Sequence, residues 1–466
     1  MLPEANRERV RSVALIGAAV PLVLSVSLLA RFERTTAAPQ FAESHSWIPE
    51  LGMTYTLAVD GLSLPLILLT VLLVFVALLS SLHIGRNPKA FYIWVLLLEF
   101  SCLGVFAARD WFLLYVFWEI ALVPMFFLIG LWGGPQKERA TMTYFLYTLG
   151  GSILMLIGIL AVYLAADPHT FDMDALKEAS NGWTAGFQVM PFLALLAGFA
   201  VKIPIFPLHG WLPLAHVQAP APVSIILSGV MLKLGGYGLL RSTEILPEGV
   251  RKLAPLLFVL ALVNILYGAF LAFRQNDLKA IVAFSSISHM GFVVLGVAAL
   301  NHTGFSGAIF MMVAHGIVTG GLFLLSGMLY ERTHTLALDE IAGVGSRLPI
   351  FKGLLTLTLL ASMGLPGLVQ FPGEVQVLLG AFQDFGLPVL FAAAGILITA
   401  TFTLRVLGSV LVDDTEGGWA DLSDVRGAEL IATVPLAAFT VILGLAPGLV
   451  LGLSNTTVDL LIARFG

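Results

Sequence analysis

Apolar runs close to twenty residues long recur from one end of this 466-residue chain to the other. A helix of that length spans the hydrocarbon core of a bilayer. Unpaired backbone N–H and C=O groups are too costly in lipid, so such runs must be helical. The short alternating segments of a membrane β-barrel are absent. Composition agrees: 58% of residues are hydrophobic and only 11% are charged, where soluble domains carry about 25% charge. The expected fold class is all-α, a polytopic transmembrane helical bundle.

Thirteen spans are read, at 12–30, 61–83, 89–108, 110–131, 141–165, 190–215, 223–242, 254–273, 277–300, 304–330, 350–382, 387–411 and 429–455. The opening RERVRS and the apolar run to Ala30 have the shape of a signal peptide. No small-residue cleavage site ends the run, so it reads as an uncleaved anchor. The longest loop, Arg31 to Asp60, contains SHSWIPELGMTYTLAVDG, whose alternation suits a small extramembrane hairpin. With the N-terminus inside, thirteen of the 24 Lys and Arg fall on inside segments and eight on outside ones. That bias favours a cytoplasmic N-terminus.

Two spans are broken by proline: AVKIPIFPLHGWLPLAH at Pro204, Pro207 and Pro213, and ASMGLPGLVQFPGEVQ at Pro366 and Pro372. Proline removes a helix hydrogen bond and clashes with the turn before it. Such breaks survive at membrane depth only where protein or a wet cavity satisfies the freed backbone groups. Each broken span is fourth in a group of five, and five is odd, so the second group enters from the opposite side. This order predicts two inverted repeats, each with a discontinuous helix, as in many transporters. The expected divisions are 1–88 (N-terminal helices and hairpin loop), 89–242 (first repeat), 254–411 (second repeat) and 412–466 (C-terminal loop and helix).

Charge inside the apolar runs needs a reason, because a charged side chain at mid-span costs about 2.5–3.5 kcal/mol on insertion scales. Glu119 lies in FLLYVFWEIALVPMFFLIG, Lys202 opens the first break, Lys233 sits in SGVMLKLGGYG and Glu374 follows the second break. Glu99 lies mid-span, and His289 and His315 lie in consecutive spans. Any one of these has a bland alternative, a static ion pair or a hydrogen-bonded packing histidine; Arg405 reads as snorkelling, and Asp110 with Arg109 as an interface anchor. The set is harder to explain that way. Acids, amines and imidazoles alternating along successive helices form a proton relay in principle, and lysines suit a sodium site poorly.

Other chemistries are disfavoured. The single cysteine, Cys102, cannot ligate an iron–sulfur cluster or close an internal disulfide. No nucleotide fingerprint or nucleophile elbow occurs, and His289 and His315 lack the companions of a metal site. No cofactor, metal or nucleic acid is expected in this chain.

FWEIALVPMFFLIGLWGG, VKIPIFPLHGWLPLAHVQAP, LSGVMLKLGGYGLLR, QNDLKAIVAFSSISHMGF and MMVAHGIVTGGLFLLSGMLYER closely resemble the M-type (chain 4) antiporter-like subunit of NADH:quinone oxidoreductase, respiratory complex I. The likeness runs from about Asp60 to about Arg405. It implies proton translocation coupled to quinone reduction elsewhere in the complex, in the bacterial inner membrane, with no redox site in this chain. Glu119 would be the acidic partner of a switching Lys202. Lys233 would pass the proton on, His289 and His315 would continue the path, and Glu374 would end it. Asp277 and Lys279 would lie at the membrane edge. The implied partners are the L-, N-, K-, J-, A- and H-type membrane subunits, a hydrophilic redox arm and lipid. The related D-type subunit of multisubunit Na+/H+ antiporters is the alternative.

The chain departs from the family pattern at Leu214, Gln218, Ala221 and Pro222, and reads LVQFPGE where TGNFVGE is usual. Family members have fourteen spans and an outside N-terminus. Thirteen spans and an inside N-terminus are what remains if the first helix is missing.

Overall fold

The computed structural model describes residues 7–412 and 422–465. The helices are α1 (Arg7–Arg31), α2 (Ser63–Ser80), α3 (Pro88–Ala107), α4 (Trp111–Trp132), α5 (Lys137–Ala165), α6 (Met173–Ala179), α7 (Ala185–Lys202), α8 (Trp211–Gln218) and α9 (Ala221–Ile226). They continue as α10 (Leu232–Ile245), α11 (Pro247–Arg274), α12 (Leu278–Ala298), α13 (His302–Thr333), α14 (Pro349–Ser362), α15 (Gln370–Phe385), α16 (Leu390–Val412), α17 (Ala428–Leu445) and α18 (Gly448–Ile462). A π-helical turn, Leu227–Met231, joins α9 to α10. Among the described residues thirteen helices are long and apolar enough to cross a membrane.

Contacts sort the helix ends into two faces. Arg7 lies beside Gly85 in the α2–α3 turn, and His83 in that turn pairs with Glu331 at the end of α13 (2.6 Å). These mark the N-terminal face, where most of the basic residues lie. The opposite face carries the antiparallel hairpin β1 (Gln40–Ile48) and β2 (Met53–Val59), in the loop whose alternation suggested it. Asp110 holds the hairpin: Oδ2 accepts Thr54 N (3.0 Å), while Oδ1 accepts Phe112 N and Leu113 N and so caps α4.

The last span differs from the sequence reading of 429–455. Helix α17 stops at Leu445, because Ala446 (φ −129, ψ 61) precedes Pro447, and a residue before proline is driven out of the α region. From Gly452 onward α18 stays on the hairpin face. Thr456 bonds the Arg34 carbonyl, Thr457 accepts Gly61 N, Asp459 faces His302, and Arg464 bonds Asn181 and the Glu244 carbonyl. A crossing helix would have carried Arg464 about 18 Å away from Gly452 along the bilayer normal. Helix α18 therefore lies along the surface. With α14 and α15 forming one broken crossing, thirteen crossings remain. The loop ahead of α17 lies outside the described residues at 413–421.

The centre of the bundle is α9–α10, α12 and α13, buried almost throughout, whereas α1 is mostly exposed. Close approach there depends on glycine: a Cβ on Gly316 would meet the Gly229 carbonyl at 2.9 Å, so α13 and the π turn touch backbone to backbone.

Candidate functional site

Lys202 is the last residue of α7, and the chain then unwinds through Pro204 and Pro207 before α8. The freed backbone groups are met by protein. Asn264 of α11 accepts Phe206 N (2.7 Å) and donates to the Pro204 carbonyl (3.1 Å), and Trp211 Nε1 donates to the Val201 carbonyl (2.9 Å). Lys202 is 1% exposed and its Nζ has no hydrogen-bond partner. Aromatic faces surround it, with the Trp118 and Tyr144 ring centroids at 5.4 and 5.6 Å. Glu119 sits one residue after Trp118 on α4, and one of its oxygens is buried and unpaired. No ion pair within 4 Å joins it to Lys202 among the described residues, so the partnership suggested by the resemblance is open in this structure.

Lys233 is in the first turn of α10, fully buried. Its Nζ donates to the Ser228 carbonyl (2.6 Å) in the π turn and lies 2.6 Å from His315 Nδ1 on α13. Single π turns are uncommon and concentrate at functional sites. His289 of α12 stands next to His315, ring centroids 5.8 Å apart. Both nitrogens of His289 and Nε2 of His315 are buried without a partner. Hydroxyls close the knot: Ser228 Oγ lies 3.2 Å from both Ser286 Oγ and Thr319 Oγ1.

At the second break Gly364 (φ +74) and Gly367 (φ +89) adopt left-handed backbone, which only glycine takes without cost. Gln370 at the start of α15 donates to the Ser362 carbonyl (3.1 Å) and to Glu374 Oε1 (3.2 Å). Glu374 is 3% exposed, and its carboxylate fills the space a Cβ on Gly364 would need. Gln370 and Pro372 are among the departures from the family phrase. The first keeps an amide in place, and the second falls in the first turn of α15, where proline is tolerated.

The family whose description reads "NADH:quinone oxidoreductase/Mrp antiporter, TM" matches residues 108–403. The chain belongs to this family. Among curated members, NAD(P)H-quinone oxidoreductase chain 4 1 of Synechococcus elongatus is 38% identical over 475 residues, covering 100% of this chain and 88% of the relative. NADH-quinone oxidoreductase subunit M of Rhodobacter capsulatus is 38% identical over 477 residues, covering 99% and 92%. A chain of respiratory complex I from Thermus thermophilus superposes with a TM-score of 0.91 at 32% identity, covering 98% of this chain and 95% of that one. A chain of the Mrp complex from Dietzia shares the fold at a TM-score of 0.86 and 20% identity.

Within this antiporter-like frame the residues singled out from sequence fall into three groups. Lys233 and His315 are joined directly with the His289 ring beside them, Lys202 lies at the first break with Glu119 on α4, and Glu374 occupies the second. Glu99 is buried on α3 with an unpaired oxygen. Arg405 is a tie, with its guanidinium on the Gln275 carbonyl and over the Phe273 ring. Asp277 caps α12, and Lys279 binds the Ala219 carbonyl, both at the N-terminal face. His216 of α8 is an imidazole the sequence reading passed over. It is fully buried with both nitrogens unpartnered and is stacked on Phe323 (4.5 Å). Its signal was its place two residues after Leu214, beyond the first break. No cluster of three or more metal-ligating side chains occurs among the described residues.

Proposed function

We propose that this chain is the proton-translocating M-type membrane-arm subunit of an NADH:quinone oxidoreductase in the bacterial inner membrane. Protons move along Glu119, Lys202, Lys233, His315, His289 and Glu374, driven by quinone reduction in other subunits. The observation that carries the reading is the Lys233–His315 contact, an amine and an imidazole within hydrogen-bond distance between two buried helices. A lysine that donates to a neutral imidazole can pass its proton across that contact, and the unpaired nitrogens of His315 and His289 offer the next acceptors.

The energetics are feasible. Moving one proton against 100 mV takes about 2.3 kcal/mol, equivalent to a change of about fiftyfold in a carrier's proton affinity. Closing and reopening a carboxylate–ammonium contact in a low-dielectric site supplies that much. Glu119 and Lys202, open here, are the pair placed to do so, since Lys202 lies at the first break and Glu119 is on α4 next to Trp118, whose ring meets both Lys202 and Phe199 of α7. The groups α3–α10 and α11–α16 serve as inverted repeats around this row. The chain works without a cofactor of its own, among L-, N-, K-, J-, A- and H-type subunits, a hydrophilic redox arm and lipid.

The Glu119→Gln/Lys202→Met complex, reconstituted in vesicles, should assemble and lose proton pumping. A wild-type proton yield per NADH would overturn the relay. The antiporter alternative rests on the shared family description and a fold likeness at 20% identity; sodium efflux independent of NADH and quinone would support it instead.

A further inference from the structure

We propose that Asp60, Arg109 and Arg241 form a proton-tight seal on the hairpin face, so that a proton held at Lys233 is turned sideways to His315. The inference rests on Lys233 being a carrier. Lys233, Tyr237 and Arg241 stand four residues apart and so share one face of α10, with Arg241 about 12 Å beyond the lysine toward the hairpin face. The groups on that face oppose onward transfer. The Tyr237 hydroxyl is engaged, donating to the Phe106 carbonyl (3.0 Å), and its ring lies under the Arg241 guanidinium (4.9 Å). Arg241 is 2% exposed, and a guanidinium does not give up its proton in a protein. It therefore cannot relay a proton onward.

Surrounding groups lock the arginine. Arg241 Nη2 meets Asp60 Oδ2 at 2.5 Å, and Nη1 meets Glu244 Oε1 at 2.6 Å. Arg109 approaches the same Asp60 oxygen (3.4 Å) and reaches Asp174 with its other arm (2.8 Å). The other oxygen of Asp60 accepts Leu62 N and Ser63 N at the start of α2. Arg464 of α18 lies over the Glu244 carbonyl from outside. A mere anchor for the hairpin already exists at Asp110, and it needs no charge buried beneath α10.

The test is passive proton leak in vesicles containing the whole complex, read as decay of an imposed pH gradient without NADH. Asp60→Asn and Arg241→Met should each speed the decay several-fold in assembled complex. Decay at the wild-type rate in assembled variants would overturn the seal. Should neither assemble, Ser286→Cys decides, since it leaves the cluster intact and lies on the Lys233 side of it, 3.2 Å from Ser228 Oγ. A membrane-impermeant maleimide added on the hairpin side should leave this buried position unmodified, and modification there would show that water already passes the cluster. Because no turnover is involved, these outcomes stand apart from whether the chain pumps.

Discussion

Lys233 and His315 meet at 2.6 Å between α10 and α13, with the lysine also held by the Ser228 carbonyl of the π turn. Two proton-carrying side chains joined this way lie in series, which makes a particular mutational pattern diagnostic. Lys233→Met and His315→Leu should each cut coupled NADH oxidation by about tenfold or more, and the double variant should be no slower than the slower single one. Residues acting as one unit show such non-additivity. Multiplying losses in steady-state rates would contradict a series path.

At the first break one amide, Asn264, holds two of the freed backbone groups. Asn264→Leu would strip Phe206 N and the Pro204 carbonyl of their partners, at a cost of about 1–3 kcal/mol for each buried group left unpaired. The purified variant complex should lose this subunit at lower temperature, measured by native gel after graded heating, and Lys202 should lose its fixed position with it.

At the second break Gly364→Ala should impair pumping more than stability, because the added methyl must displace the Glu374 carboxylate and sit at positive φ. Gly353→Ala, on α14 with nothing near its Cβ, serves as the control and should leave the proton yield at the wild-type value.

Asp60 gives a pH dependence with a definite sign. Burial raises its pKa, but the Arg241 and Arg109 guanidiniums outweigh burial and hold it at about 2, below the ordinary 3.8. The group is thus ionised more readily folded than unfolded. Its stabilisation is fully present above pH 3.8, shrinks below that, and is lost as pH falls through about 2. Protease susceptibility of the hairpin should rise over that window in the wild type, and Asp60→Asn should flatten the dependence.

Much of this was legible in the sequence, for physical reasons that also explain the misses. Lipid forces helices wherever twenty apolar residues run together, so the crossings were evident, and proline chemistry located both breaks. The end of α17 was missed because LGLAPGLVLGL stays apolar through the turn. Only Ala446–Pro447 marks it, and the surface position of α18 comes from ties to Arg34, Gly61 and Glu244 that are remote in sequence. The buried charges were readable one by one from the cost of placing them in lipid. Their grouping was not: that Lys233 touches His315 while Lys202 sits among Trp118 and Tyr144 without an ion pair within 4 Å among the described residues follows from helix packing. His216 escaped because an imidazole beside a proline-rich stretch looks like a loop residue until its burial is known.

The most direct test is the proton yield per NADH of reconstituted complex carrying Lys233→Met, with assembly verified on the same preparation. A relay through this lysine predicts a reduced yield in fully assembled complex. An unchanged yield would contradict it.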